Sequence, residues 1–260
     1  VAAGFWLLRA HWGASEAGRW ALLAAAVLAY EAWTLRRGLA DNHRPGEKSL
    51  LPGLGAANRL TLLRGAMLAL MAGFLFAPWP GGWLAWAPAA LYGAIVLLDG
   101  LDGAVARLTG QPTRLGEMLD LELDALGMLV APLLGVWYRQ LPPWFLLVSA
   151  ARYLFVLGLW WRRRRGLPVY ELPPSHRRRS LAGLMMGFTG VVLWPVFSPP
   201  QTWVAATAVM LPFLVGFARD WLAVSGRLRG AAPAGLDRWL PVALRSALAA
   251  AFVISCSDWG

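Results

Sequence analysis

Four aspartates, Asp99, Asp102, Asp120 and Asp124, lie at or inside apolar stretches of the chain, where a carboxylate is costly. At helix-centre depth in a bilayer each is unfavourable by roughly 2.5–3.5 kcal/mol, so four of them need a compensating charge. Asp99 and Asp102 are three residues apart, and Asp120 and Asp124 four. On helices each pair shares one face. Two such helices packed together gather four carboxylates into one pocket near a membrane surface. Like charges that close cannot all stay ionised unless cations stand between them. No other compensating charge in the sequence looks strong enough. Hard divalent ions take oxygen ligands, and a site with no histidine or cysteine nearby suits Mg²⁺ or Mn²⁺. Helix capping, or pairing with Arg107 and Arg114, could account for one or two of these aspartates but not for four.

The elements that position them follow from hydropathy. Of 260 residues, 58% are hydrophobic and 15% charged, well below the roughly 25% charged of soluble domains. Apolar stretches at 20–35, 57–77, 83–98, 118–137, 144–161, 181–197 and 203–224 approach or exceed the length a bilayer requires, and 240–254 is a last candidate. The expectation is an all-α, polytopic membrane helix bundle. Its parts are an N-terminal span and cytoplasmic linker (1–55), a six-helix core (56–226), and a C-terminal linker with a partial extra span (227–260). The short stretch 5–12 could lie in the interface.

The net charge of +10 comes mainly from arginines at the ends of apolar segments, such as Arg36 and Arg37, Arg162 to Arg165 and Arg177 to Arg179. There they meet headgroups and water rather than nucleic acid, which is excluded as a partner. The connections holding Arg107 and Arg114, the two arginine clusters, and Arg227, Arg229 and Arg238 face the cytoplasm by the positive-inside rule. Tryptophans at span ends, among them Trp79, Trp83, Trp144, Trp160, Trp161 and Trp203, are interfacial anchors. Cys256 is the only cysteine, so an intramolecular disulfide is impossible. The chain opens at Val1 and stops just past an apolar run, the pattern of a fragment, and no cleavable signal peptide is read at its start.

The spacing Asp99-x2-Asp102-Gly103-x2-Ala106-Arg107-x8-Gly116-x3-Asp120-x3-Asp124 resembles the full signature of the CDP-alcohol phosphatidyltransferases at all of its fixed positions. Upstream, Asn58-Arg-Leu-Thr61-Leu-Leu-Arg64 is similar to the segment that opens the family's first core helix. Bacterial phosphatidylglycerol-phosphate and phosphatidylinositol-phosphate synthases are the members it is most similar to. The resemblance implies transfer of a phosphatidyl group from a CDP-linked lipid such as CDP-diacylglycerol to a small alcohol acceptor, with release of CMP. It also implies two divalent ions, membrane lipids as surroundings, a homodimer in many members, and a bacterial or archaeal cytoplasmic membrane with the site facing the cytoplasm.

By the same resemblance Asp99, Asp102 and Asp120 are metal ligands, and Asp124 is the general base and a further ligand. Asn58, Thr61, Arg64, Gly103, Arg107 and Gly116 border the CDP moiety. Physical chemistry agrees with parts of this. A glycine beside Asp102 lets a phosphate approach backbone, Arg107 offers a planar fork to it, and Gly116 opens a helix whose free N–H groups favour an anion. Ser149 and Arg152 lie inside an apolar segment, where an arginine is expected to face a polar cavity. Together with Arg178 and Arg179 they are the candidates for binding an acceptor, such as glycerol 3-phosphate or inositol phosphate. The alternative is an ion or proton transporter using the same carboxylates, which calls for acidic residues at mid-depth on several helices.

Overall fold

The computed structural model describes residues 1–47, 49–109, 113–172 and 175–228, without the side chains of 102–104, 106–109 and 179. These residues form eight α-helices and no strand. They pack as two compact units, Val1–Tyr138 and Arg139–Gly260, so the expected 56–226 core falls across both. The stretch 240–254 and most of the expected C-terminal segment lie outside the described residues.

In the first unit, α1 (Ala2–His11) packs on α2 (Ala14–Gly38). The ends of α2 suit its dipole, with Glu16 in the first turn and Arg36 and Arg37 in the last. α3 (Ala56–Ala72) is the centre of the unit and touches α2, α4 (Ala87–Thr109) and α5 (Arg114–Trp137). A 3₁₀ turn at Gly82–Trp86 leads into α4. On α5, Leu115, Leu119 and Leu123 recur every fourth residue and are buried, the stripe expected of a packed helix face. Leu119→Ala would leave a cavity costing about 2–5 kcal/mol. At the other end of this unit, Trp137 Nε1 donates to the Ala77 carbonyl (2.7 Å) and Tyr138 stacks on Trp79 at 4.5 Å.

The described residues of the second unit form a 3₁₀ turn at Pro143–Leu146 and three helices, α6 (Leu147–Arg164), α7 (His176–Val192) and α8 (Gln201–Val224). α8 packs against both α6 and α7. Phe155 of α6 meets Phe217 and Trp221 of α8 edge-on, and Phe145 meets Phe188 of α7.

Among the described residues, three segments are long and apolar enough to cross a membrane: Gly82–Leu101, Pro143–Arg164 and Gln201–Val224. Their outward side chains are themselves apolar, with Leu97, Leu154 and Val204 each more than 60% exposed. Such surface is stable in lipid and a liability in water. The protein is therefore an integral membrane helix bundle. Among the described residues, six helices, α3 to α8, begin and end within 56–226, and α2 precedes them. The sequence reading expected more spans than these three. α3 and α7 are 17 residues long, and α5 carries Asp120, Glu122 and Asp124 in its first half, which shortens its apolar part.

Candidate active site

α4 runs on to Thr109, beyond the end of the apolar stretch, so Asp99 and Asp102 lie on one continuous helix. α5 carries Asp120 and Asp124 one turn apart. Carboxylate oxygens of Asp99, Asp120 and Asp124 all lie within 4.8 Å of one another, and all three side chains are partly exposed. The side chain of Asp102 lies outside the described residues, as do those of Gly103 and Arg107.

The compensating charge comes from α3. Arg64, only 3% exposed, donates from Nη1 to Asp99 Oδ1 and from Nη2 to Asp120 Oδ1 (2.5 Å), and the same Nη2 is 3.6 Å from Asp124 Oδ1. One guanidinium thus reaches carboxylates from two other helices, a use of its planar fork that lysine could not reproduce. This corrects the expectation that the aspartates lack a strong protein counter-charge. Arg114, considered as a partner for them, instead lies 3.2 Å from Glu117, three residues along its own helix.

The start of α5 is fixed by a buried polar knot. Thr113 is its N-cap and accepts from the Gly116 amide (2.9 Å), while Asn58 Nδ2 donates to Thr113 Oγ1 (3.0 Å). A Cβ on Gly116 would fall 2.5 Å from Asn58 Oδ1, so glycine there admits α3 to the end of α5. The Gly116 N–H, expected to await an anion, is engaged by its own cap. Asn58 and Thr61 are both buried, and Thr61 Oγ1 donates to the Ala57 carbonyl one turn back (3.1 Å). Sequence reasoning missed Thr113. Its signal was legible, since a threonine three residues before Gly116 and just ahead of an apolar run is a preferred cap.

Residues 54–218 match the CDP-alcohol phosphatidyltransferase family, well over half of the chain and the whole of the aspartate motif. The chain belongs to that family. Proteins named "Putative cardiolipin synthase" from Mycobacterium bovis and Mycobacterium tuberculosis are 31% identical to it over 144 residues, or 54% of this chain. The match spans 65% of those relatives' own length. No solved structure matches the chain at a comparable level.

The donor set of this phosphatidyltransferase-family site fits a divalent cation. Three carboxylates from two helices present oxygen atoms only, close enough to share one ion and open enough to admit it.

The acceptor candidates all lie in the second unit. Ser149 is buried on α6 and Arg152 is half-buried three residues further on. Arg178, in the first turn of α7, has its Nη1 3.5 Å from Asp220 Oδ1 on α8. The side chain of Arg179 lies outside the described residues.

Proposed function

We propose that the chain transfers a phosphatidyl group from a CDP-linked lipid to a small alcohol, releasing CMP, at the cytoplasmic face of a bacterial or archaeal membrane. The observation that carries this reading is the convergence of Asp99, Asp120 and Asp124 within 4.8 Å inside the family-matched stretch.

Asp99, Asp102, Asp120 and Asp124 would hold two Mg²⁺ or Mn²⁺ ions, which when bound supply charge neutralisation at a pyrophosphate. The chain's own groups do the rest. Asp124 accepts the proton of the acceptor hydroxyl as its oxygen attacks the lipid-bearing phosphorus in line with the departing CMP. Arg64 keeps the Asp99 and Asp120 side chains turned toward one another. Its charge also lowers the free energy of bringing a multiply anionic substrate beside carboxylates. Asn58 and Gly116 fix α3 against the start of α5, and Thr61, Gly103 and Arg107 would border the CDP portion.

A phosphorylated polyol such as glycerol 3-phosphate or inositol phosphate suits the second unit. Arg177 to Arg179 stand in the first turn of α7, where the helix dipole disfavours cations by about 0.3–1 kcal/mol each. A bound phosphate would relieve that repulsion, and Arg178 with Arg152 and Ser149 would contact it. The relatives' name favours a second acceptor. Cardiolipin carries two phosphatidyl groups on one glycerol, so making it by this chemistry needs an acceptor that is already a phosphatidyl lipid.

The deciding experiment incubates the purified chain with CDP-diacylglycerol and, separately, glycerol 3-phosphate, inositol phosphate, inositol, serine or phosphatidylglycerol, and measures CMP and lipid product. CMP should appear with one acceptor class, depend on Mg²⁺ or Mn²⁺, and stop on chelation. No CMP with any acceptor overturns the transferase reading in favour of an ion pathway, and full turnover in chelator overturns the metal assignment.

A further inference from the structure

α2 lies outside the 54–218 stretch that matches the family, yet it packs on both α3 and α5. Trp20 Nε1 donates to the Leu70 carbonyl (3.0 Å), and its ring covers Gly73. Gly38 lies under Leu115 and Met118 of α5. Between these points, Glu31 lays its carboxylate against Gly65, where a Cβ would collide with it. Tyr30 Oη donates to Glu122 Oε2 on α5 (2.8 Å).

Two of these contacts fall on residues next to the ionic residues along the same helices. Gly65 follows Arg64, and Glu122 stands midway between Asp120 and Asp124. Glu31 is 7% exposed, and its Oε1 has no hydrogen-bond partner among the described residues. Burying an unsatisfied acceptor costs about 1–3 kcal/mol, more when it is charged. An apolar residue of similar size would avoid that cost, so the carboxylate does not earn its place through stability. Local violations of this kind belong at functional sites.

We infer that α2 is a brace that sets the separation of Arg64 on α3 from Asp120 and Asp124 on α5, with Glu31 and Tyr30 as its positioning residues. The inference rests on the carboxylates being the reaction site. A side chain seated in a glycine notch resists sliding of α2 along α3, and the Tyr30–Glu122 bond resists rotation of α5 about its axis. Both motions would change the reach from Arg64 to the carboxylates.

The test uses the full chain in lipid nanodiscs and follows Mn²⁺ binding by electron paramagnetic resonance, CMP release and thermal unfolding. Gly65→Ala should weaken Mn²⁺ binding and lower kcat by about 10- to 100-fold, the scale of a misplacement near 1 Å, with the acceptor KM unchanged. Glu31→Ala empties the notch and should lower both quantities several-fold. Parental behaviour of Gly65→Ala, or of Glu31→Ala, overturns the brace. If Gly65→Ala does not fold, Tyr30→Phe decides. It should lower kcat and Mn²⁺ affinity several-fold at an unchanged unfolding temperature, and parental values of both overturn the brace. A parent that binds Mn²⁺ but releases no CMP refutes the transferase reading alone, and the Mn²⁺ affinities of the variants still decide the brace. A parent that does neither refutes both.

Discussion

The two units use arginine in opposite ways. In Val1–Tyr138 the guanidinium of Arg64 is turned inward and gripped by carboxylates from two other helices. In Arg139–Gly260 the arginines at the end of α6 lie outward. Arg164 lies 4.3 Å above the ring of Trp160, Arg165 lies 5.0 Å above that of Trp161, and Arg162 donates to the carbonyls of Pro168 and Ser225. Position along the helix separates the two uses. A mid-helix charge in a membrane bundle must find its partner across a helix interface, and that enforced convergence can hold chemistry. A charge in the last turn reaches the headgroup region and complements the dipole of its own helix. Arg178 is intermediate, tied to Asp220 on the neighbouring helix at the start of α7.

The sharpest way to break this contrast is inside the first unit, between two carboxylates on one face of α5. Asp124→Asn keeps the shape of the side chain but cannot take a proton, and loss of a general base typically costs 10²- to 10⁴-fold in rate. Excess Mn²⁺ should not restore it. Asp120→Asn removes a ligand and should regain part of its rate as Mn²⁺ is raised. Turnover against metal concentration for both variants, with nucleotide binding as control, decides. Equal rescue would make Asp124 chiefly a ligand.

Arg64→Leu comes next. Removing one partner of a buried ion pair costs about 3–5 kcal/mol, and the partial exposure of the three carboxylates puts the expected loss toward the lower end. Thermal unfolding should fall, and added Mn²⁺ should recover more stability in the variant than in the parent, because it replaces the guanidinium charge that Asp99 and Asp120 have lost. An unchanged melting temperature would show that the aspartates do not depend on Arg64.

What the sequence revealed of this site, and what it hid, follows the same division. The aspartate pairs were legible because spacings of three and four fix a common face on any helix. That α4 continues to Thr109 also follows from the residues, since the stretch after Asp99 keeps helix formers such as Leu101, Ala104 and Ala106 after the apolar run has ended. The partnership of Arg64 was not legible. Asp99 lies 35 residues away and Asp120 lies 56 away, so their meeting depends on how α3 packs between α4 and α5. The seat of Glu31 on Gly65 was hidden for the same reason, because a glycine notch shows its purpose only when the neighbouring helix is in place.

A smaller effect is expected in the second unit, from Arg152→Ala. A charge-assisted hydrogen bond to a phosphate is worth about 1.5–3 kcal/mol, so the acceptor KM should rise by about 10- to 100-fold, while the KM for CDP-lipid stays near that of the parent. Equal acceptor constants in variant and parent would remove Arg152 from the acceptor site and leave Arg178 as the candidate on α7.

The smallest effect belongs to the outward arginines, and it tests the contrast from its other side. If Arg164 and Trp160 are a surface anchor, their contact contributes about 0.5–1 kcal/mol at an exposed position. Neither Arg164 nor Trp160 is among the candidate site residues. Trp160→Leu keeps an apolar side chain in the headgroup region but removes the ring face, and Arg164→Gln removes the charge but keeps much of the stem. Each should leave kcat and both Michaelis constants near parental values and lower stability in bilayers by no more than that contact. The two changes combined should cost about as much as either alone, since both delete the same interaction. A large rise in the acceptor KM for Arg164→Gln, with Trp160→Leu unaffected, would instead bring the end of α6 into the acceptor site. The charge would then matter there and the ring would not, and helix position would no longer separate anchoring arginines from those that do chemistry.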